Sequence, residues 1–213
     1  MRSYGQYCAV ARALDLVGDR WALLIVRELL LRGACRYTDL REGLPGIATN
    51  LLVARLRDLE GAGILRRVDA PPPVATTVYE LTSRGSELAP VLHALGTWGG
   101  ELMAQPRGAD EFRSHWLAFP ISRLTDSTPD GPPVTIEIRT GGQPLIVETI
   151  DGSVRARSGT ADDPDAVLAG PPDAVIGVLR SRLDIAEARR RGLRIEGDIA
   201  AIRRLQPTPS PQP

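Results

Sequence analysis

Four side chains between positions 49 and 57 have the chemical types and the spacing needed to contact the edges of DNA bases. On a helix they share one side, because leucines spaced four and three residues apart mark the opposite, buried side. A carboxamide can form two hydrogen bonds with adenine, a small apolar group can touch a thymine methyl, and a guanidinium can reach a phosphate. The four residues are Thr49, Asn50, Val53 and Arg57, and the leucines behind them are Leu52, Leu56 and Leu59.

Further polar residues flank this segment at positions suited to the DNA backbone. Arg36 and Tyr37 begin the preceding helix, where a positive side chain and backbone N–H groups favour a phosphate. Arg66 and Arg67 lie at the base of a predicted hairpin and are expected to contact phosphate or the minor groove. Arg55 either joins them or folds back into an ion pair near Asp58 and Glu60. Taken singly, each residue is about equally well explained as ordinary solvent-facing polar surface.

Two helices, a tight turn and a hairpin must position these side chains. The sequence predicts, in chain order, a helix, a turn, a second helix, and two strands joined by a stiff proline tip: residues 37–42, 44–46, 49–60, 64–68 and 77–81, with the prolines at 71–73. A helix that can lie in the major groove, followed by a hairpin that can reach phosphates, is a winged helix-turn-helix. The window from residue 32 to residue 67 is locally basic, with seven basic and four acidic residues.

The surrounding helices are predicted to support this unit and to pair it with a second copy. A first helix over residues 8–17 is followed by another that Asp19 is expected to N-cap. Pro90 predicts a break before a last helix, whose apolar stripe fits either the core or a dimer interface. Because one winged helix reads only a few base pairs, useful affinity needs a dimer on half-sites about 34 Å apart. The stripe consists of Val91, Leu92, Leu95, Trp98 and Leu102.

Composition argues against several classes of function. The net charge is zero and all 26 basic residues are arginine, so no lysine is available for a phosphate-binding loop or a Schiff base. The two cysteines and two histidines do not have the spacing of a disulfide framework or of metal ligands. No nucleophile–base set is evident, so we expect no enzymatic activity, no metal and no cofactor.

No stretch of the sequence predicts a signal peptide or a membrane span. The N-terminus has no apolar core, and the longest apolar run, residues 21–26, is far shorter than the roughly 20 residues that cross a bilayer. We therefore expect a cytoplasmic protein that does not contact membranes.

The second half of the chain predicts a separate α+β domain. Alternating apolar residues predict strands joined by two turns, Gly141-Gly142 and Asp151-Gly152, and four helices complete the domain. The strands are expected over residues 134–139, 144–150, 153–157, 163–168 and 193–198, and the helices over 112–124, 173–182, 185–191 and 199–205. The whole chain is thus predicted as α+β, with a first domain at residues 1–105, a second at 106–205 and a disordered tail at 206–213.

The first domain resembles the HxlR-type transcriptional regulators over about residues 7 to 103. The motifs that carry the resemblance are Asp19-Arg20-Trp21, then L-P-G-I from Leu44, R-L-x-x-L-E from Arg55, and Y-E-L-T from Tyr79. The family implies a homodimeric winged-helix DNA-binding regulator. Some relatives sense oxidants or electrophiles through a cysteine at the position of Cys8, although Ala9 replaces the usual proline after it. A small buried hydrophobe is the alternative role for Cys8.

The second domain resembles the sterol carrier protein type 2-like domains over most of residues 110–205. The turn-rich strands of residues 134–157, the segment DPDAVLAG, and above all ARRRGLRIEGDIAAIRRL carry this resemblance. That family implies a sheet and helices around an apolar tunnel that holds lipids or acyl chains. No ligand-binding residue is carried over, and a filled core is the alternative.

Together these features favour a homodimeric transcription factor that binds a palindromic operator. It is expected to act as a repressor, with an apolar small molecule in the second domain as the regulating ligand. The alternative is a lipid or acyl-chain carrier whose helical domain serves only to dimerise it.

Overall fold

Two folding units make up the chain, Met1–Glu111 and Phe112–Pro213, in a computed structural model. The structure describes residues 3–69, 76–104 and 110–206. The predicted proline tip at 71–73, most of the predicted domain boundary at 106–110 and the predicted tail beyond residue 206 lie outside the described residues. The described elements confirm the α+β fold class, with a helical first unit and a second unit built on a larger sheet.

The described residues of the first unit form six helices and a short sheet. The helices are α1 (Ala9–Val17), α2 (Ala22–Arg32), α3 (Tyr37–Gly43), α4 (Thr49–Gly61), α5 (Ser83–Ser86) and α6 (Ala89–Gly99), and a 3₁₀ turn, Gly100–Ala104, follows. The strands are β1 (Cys35–Arg36), β2 (Leu65–Asp69) and β3 (Thr77–Leu81), in the antiparallel order β1-β3-β2. Strand β1 was not predicted, because two residues are too few to show an alternating pattern.

The helix and turn predictions for this unit agree closely with the structure. Helix α4 ends one residue later than predicted, and its three leucines are buried as expected. Thr82 caps α5 by accepting a hydrogen bond from the Gly85 N–H at 3.1 Å. Pro90 lies in the first turn of α6, so the predicted break falls between α5 and α6.

The predicted start of α2 is wrong in its detail. Asp19 does not cap this helix; Trp21 occupies the N-cap position, with a left-handed φ of 81°. The side chain of Asp19 instead contacts Arg55 of α4. A tertiary contact has therefore replaced the local cap that the sequence favours.

A buried carboxylate lies beneath the turn between α3 and α4. Glu28 of α2 is fully buried and accepts hydrogen bonds from Arg27 at 2.8 and 3.1 Å. Burial lowers the pKa of Arg27, although the charge of Glu28 opposes this shift. Gly43, the last residue of α3, has no room for a side chain because a Cβ there would overlap the Glu28 carboxylate. This packing sets how closely α3 approaches α2.

A five-stranded sheet forms the centre of the second unit. Its strands are β4 (Thr135–Arg139), β5 (Leu145–Ile150), β6 (Ser153–Ser158), β7 (Ala166–Ala169) and β8 (Arg194–Gly197), in the order β6-β5-β4-β7-β8. Strands β4 and β7 run parallel, and the other neighbours are antiparallel. The helices are α7 (Ala118–Ile121), α8 (Pro172–Leu179), α9 (Ile185–Arg190) and α10 (Ile199–Arg204).

The predicted turns and strands of this unit are confirmed to within a few residues, but the first helix is not. Asp151 and Gly152 both have positive φ, as a tight hairpin turn requires. The expected helix over residues 112–124 is instead a 3₁₀ turn, Ser114–Leu117, followed by the single turn of α7. Pro120 explains this, because its ring cannot donate a hydrogen bond and clashes with a preceding carbonyl in a longer helix.

Two carboxylates among the described residues of the second unit are buried and hydrogen-bonded. Glu137 in β4 accepts hydrogen bonds from Arg139 at 2.6 Å and from the Ala161 N–H at 2.8 Å. Burial alone would raise the pKa of Glu137, but these two hydrogen bonds lower it below its usual value. Asp126 binds Arg204 of α10 at 2.5 and 3.0 Å, and that hydrogen bonding lowers the pKa of Asp126. Among the residues described, no helix is long and apolar enough to cross a membrane.

The packing of Gly43 against Glu28 generates a stability prediction. We expect Gly43→Ala to lower the free energy of unfolding by about 1–3 kcal/mol, since the new methyl group must displace the buried carboxylate. Gly61→Ala is the matched control, because a Cβ at Gly61 meets open space; it should be neutral or stabilising by up to about 1 kcal/mol. Urea denaturation followed by circular dichroism measures both, and equal stability of the two variants would contradict the prediction.

Candidate DNA-binding surface

Helices α3 and α4 are held together by the turn between them and by one side-chain hydrogen bond. The Tyr37 hydroxyl donates to the Thr49 carbonyl oxygen at 3.3 Å, and the Ile47 N–H donates to the Leu44 carbonyl oxygen at 3.2 Å. Asp39 accepts a hydrogen bond from the Arg36 N–H at 2.8 Å and so fixes the start of α3. Tyr37 is half-buried. Because of its hydrogen bond to Thr49, the hydroxyl proton of Tyr37 is already used within the protein.

Burial of three leucines decides which side of α4 faces outward. Leu52, Leu56 and Leu59 are at most 3% exposed. Of the four residues predicted to face the groove, Thr49, Asn50 and Arg57 are exposed, whereas Val53 is half-buried. The Asn50 side-chain oxygen accepts a hydrogen bond from the Leu51 N–H at 2.9 Å, so reading a base would require the amide to turn.

The predicted phosphate-binding arginines fall into two groups. Arg36 and Arg57 are exposed and make no ion pair with any described residue. Arg66 is instead paired with Glu80, which lies directly opposite it across the hairpin, at 2.6 Å.

Arg67 belongs to the second group with Arg66. Its side chain binds Glu60 at the end of α4 at 2.9 Å, and this hydrogen bond raises the pKa of Arg67. In both hairpin pairs the arginine is exposed and the glutamate is about one-third exposed, so each ion pair contributes little to stability.

Arg55 does not share the outward side of α4. Its Nη1 atom lies 2.6 Å from Asp19 and 2.5 Å from Asp58, and its side chain is 20% exposed. The sequence offered an ion pair near Asp58 as one of two explanations, and the structure confirms that one. The second partner, Asp19, is 36 positions away in the sequence, and no local pattern predicts that contact.

The two cysteines of the first unit have opposite environments. Cys8 is exposed at the N-cap of α1, so the alternative that it is a small buried hydrophobe is wrong. The backbone N–H groups of Ala11 and Val10 at the start of α1 favour the thiolate and lower the pKa of the Cys8 thiol. Cys35 is buried in β1, and burial raises the pKa of its thiol to about 11.

Two protein families match the chain, one in each half. The HxlR-like helix-turn-helix family matches residues 16–107, and the SCP-2 sterol transfer family matches residues 130–208. The first match contains α2 to α6 with the hairpin, and the second contains β4 to α10.

Individual relatives match the first half of the chain. The regulator sll1512 of Synechocystis is 39% identical over 102 residues, which are 47% of this chain and 74% of that protein. YvaP of Bacillus subtilis is 34% identical over 90 residues, which are 42% of this chain and 82% of that protein. Both are described as uncharacterised HTH-type transcriptional regulators.

Among solved structures, the HTH-type transcriptional regulator ytcD is 28% identical, with a TM-score of 0.42, over 46% of this chain and 99% of that one. The identity to sll1512 over three quarters of its length, together with the family match to α2–α6, assigns the first unit. The chain thus belongs to the HxlR-like helix-turn-helix family of transcriptional regulators, and it carries an SCP-2 sterol transfer family domain in its second half.

Proposed function

We propose that two copies of the chain bind a palindromic operator, each inserting α4 into the major groove of one half-site. The observation that carries this proposal is the outward side of α4, where Thr49, Asn50 and Arg57 are exposed above a fully buried row of leucines. In a helix-turn-helix the second helix presents its N-terminal residues to base edges, and these are Thr49 and Asn50.

Each residue has a separate role in this arrangement. Asn50 turns its amide away from Leu51 and reads adenine through two hydrogen bonds, while Val53 approaches a thymine methyl. Arg57 and Arg36 contact phosphates directly, because neither is committed to a carboxylate in the described part of the chain. The hairpin residues Arg66 and Arg67 exchange their carboxylate partners for phosphates of the DNA. Tyr37 supports α4 through its hydrogen bond to Thr49.

Exposed apolar side chains on α6 and the turn after it support the proposed dimer. Soluble monomers rarely leave a contiguous patch of this kind open to water, and a second copy supplies the matching surface. An operator with two half-sites about 34 Å apart also requires a dimer with two copies of α4, one for each half-site. The side chains are Val91, Leu95, Trp98, Leu102 and Met103, which are between 47% and 78% exposed.

Repression by exclusion is the proposed mode of regulation. A dimer seated across two half-sites covers about two turns of promoter DNA, and RNA polymerase cannot occupy the same DNA. The second unit is proposed to bind an apolar small molecule, as its match to the SCP-2 family suggests. Ligand and operator must then change each other's affinity by the same factor.

A carrier of lipids or acyl chains is the competing function, and the same SCP-2 match favours it. In that case the first unit would serve only to dimerise the chain. The two functions differ in whether the residues on the outward side of α4 matter for DNA binding.

Two substitutions on α4 test operator binding. With a labelled duplex from the promoter of its own gene, Asn50→Ala should weaken specific binding about 10- to 100-fold per half-site, because a base contact is lost. Arg57→Ala should weaken binding to every sequence and reduce the slope of affinity against salt by about one per protomer. Gel-shift titrations at two or more salt concentrations measure both effects.

Arg155→Ala is the control for loss of one surface charge. Arg155 is exposed on β6 of the second unit and makes no ion pair with a described residue. The Arg155→Ala variant should therefore bind the operator with the affinity of the wild type. Failure of the wild-type protein to shift any nearby promoter at low salt would reject the DNA-binding proposal and favour the carrier.

Native mass spectrometry of the full chain tests dimerisation and ligand binding together. The wild type should give the mass of two chains, each with an added mass in the range of a lipid or acyl chain. Trp98→Arg should give single chains, since a charge replaces a side chain that is 74% exposed in the single chain. The bound mass should persist in this variant, because the ligand belongs to the second unit. A monomeric wild type, or bare chains throughout, would contradict the corresponding part of the proposal.

A redox role for Cys8 is proposed on its exposure and its lowered thiol pKa. In the native protein we expect one thiol per chain to react rapidly with Ellman's reagent near neutral pH, and Cys8→Ser to abolish that reaction. Cys35→Ser should leave it intact, because Cys35 is buried with a thiol pKa of about 11. Equal reactivity of both thiols would contradict the assigned environments.

A further inference from the structure

The segment that joins α1 to α2 is strained, and it directs one carboxylate toward α4, which is called the reading helix below. Trp21 has φ 81° and ψ −19°, in the left-handed region that a bulky side chain rarely occupies. The guanidinium of Arg20 lies over the Trp21 ring, 5.6 Å from its centre. Immediately before them, Asp19 extends to α4 and contacts Arg55. The Asp19-Arg20-Trp21 motif is therefore joined directly to the reading helix.

The contact between Asp19 and Arg55 uses a single nitrogen. Nη1 of Arg55 lies 2.6 Å from Oδ2 of Asp19 and 2.5 Å from Oδ2 of Asp58. Asp58 belongs to α4 itself, so its pairing with Arg55 places no restraint on the rest of the unit. Asp19 lies outside α4, and its pairing restrains how α4 is rotated about its own axis.

We propose that Asp19 and Arg55 form a positioning ion pair that holds α4 in the rotation needed to read bases. Arg55 is two residues from both Val53 and Arg57, about 200° around the helix, so it lies opposite the reading side and acts through α4 rather than on DNA. This inference goes one step beyond the proposed operator binding and rests on it.

The need for such a restraint follows from the kinds of contact that α4 makes. Leu52, Leu56 and Leu59 hold the helix by apolar burial, which has no directional preference. Base reading, by contrast, needs donor–acceptor distances near 2.9 Å and good alignment. Among the described residues, polar side chains from outside the helix and hairpin contact α4 at two places: the Tyr37 hydroxyl bonds to Thr49 at its start, and Asp19 forms an ion pair with Arg55 in its middle.

The loss of charge and the loss of the restraint predict opposite effects of Asp19→Asn on binding to the operator. Asp19→Asn removes a negative charge from a DNA-binding unit, and electrostatics alone would strengthen its binding to DNA. Loss of the restraint would weaken binding to the specific operator and leave non-specific binding unchanged. Asp58→Asn is the matched control, because it removes the same charge from the same guanidinium without releasing α4 from the rest of the unit.

The experiment first selects an operator from random duplexes with the wild-type, full-length protein. Affinities for that operator and for an unrelated duplex are then measured at fixed salt for the wild type, Asp19→Asn, Asp58→Asn, and Arg55→Lys. We expect Asp19→Asn to lose about 5- to 20-fold in operator affinity, since a partly exposed ion pair contributes little per protomer but a dimer carries two. Its affinity for the unrelated duplex should not fall, and Asp58→Asn should bind the operator at least as well as the wild type.

Arg55→Lys keeps the positive charge, but its shorter side chain withdraws the donor from Asp19, so it should lose operator affinity in the same direction as Asp19→Asn. If Asp19→Asn does not fold, as thermal unfolding would show, Arg55→Lys decides the matter. Two results would overturn the positioning role while leaving operator binding intact. One is unchanged operator affinity in Asp19→Asn, or in Arg55→Lys if Asp19→Asn does not fold. The other is an equal loss of operator affinity in Asp58→Asn. If the wild type selects no sequence, the proposed function itself fails, and the positioning role fails with it.

Discussion

Burial of one row of leucines on α4 determines the orientation of most of the candidate surface. With Leu52, Leu56 and Leu59 inside, the helix has only one side left for solvent, and the polar residues at positions 49, 50 and 57 necessarily occupy it. The hairpin then follows within four residues of the end of α4, since Gly63 turns the chain in the left-handed conformation. Apolar burial thus selects the surface, although it cannot define the angle of each side chain.

Charged groups supply the directional restraints that the leucines cannot. The Glu28 carboxylate beneath Gly43 sets the approach of α3 to α2, and Arg55 connects α4 to the turn after α1. In the second unit Asp126 connects to Arg204 of the last helix, and Glu137 of β4 accepts a hydrogen bond from the Ala161 N–H outside the strand. The carboxylates of Glu28, Glu137 and Asp126 are buried, and removal of their arginine partners would leave a charge in a poorly solvated place.

The sequence predicted those elements that local rules determine. The leucine spacing located α4 to within one residue, Thr82 marked the start of α5, and Asp151-Gly152 marked a hairpin turn. It failed where distant residues decide the outcome. Asp19 resembles a helix cap, but its partner lies 36 positions further along the chain, and Glu137 has the type of a solvent-facing strand residue although it is buried. The outward side of α4 and the pairing of Arg55 with Asp58 were predictable; the contacts of Asp19 with Arg55, of Arg66 with Glu80 and of Arg67 with Glu60 were not.

The pairing of the hairpin arginines has a consequence for how ions take part in DNA binding. A free arginine that meets a phosphate releases the cation condensed on that phosphate, and this release is what makes affinity depend on salt. In the proposed complex, Arg66 and Arg67 would first have to leave Glu80 and Glu60, and each vacated carboxylate would attract a cation of its own. The cations released from the DNA phosphates would then be offset by cations taken up at these two carboxylates. In that proposed complex, a count of the hairpin arginines would therefore overstate their contribution to the salt dependence of binding.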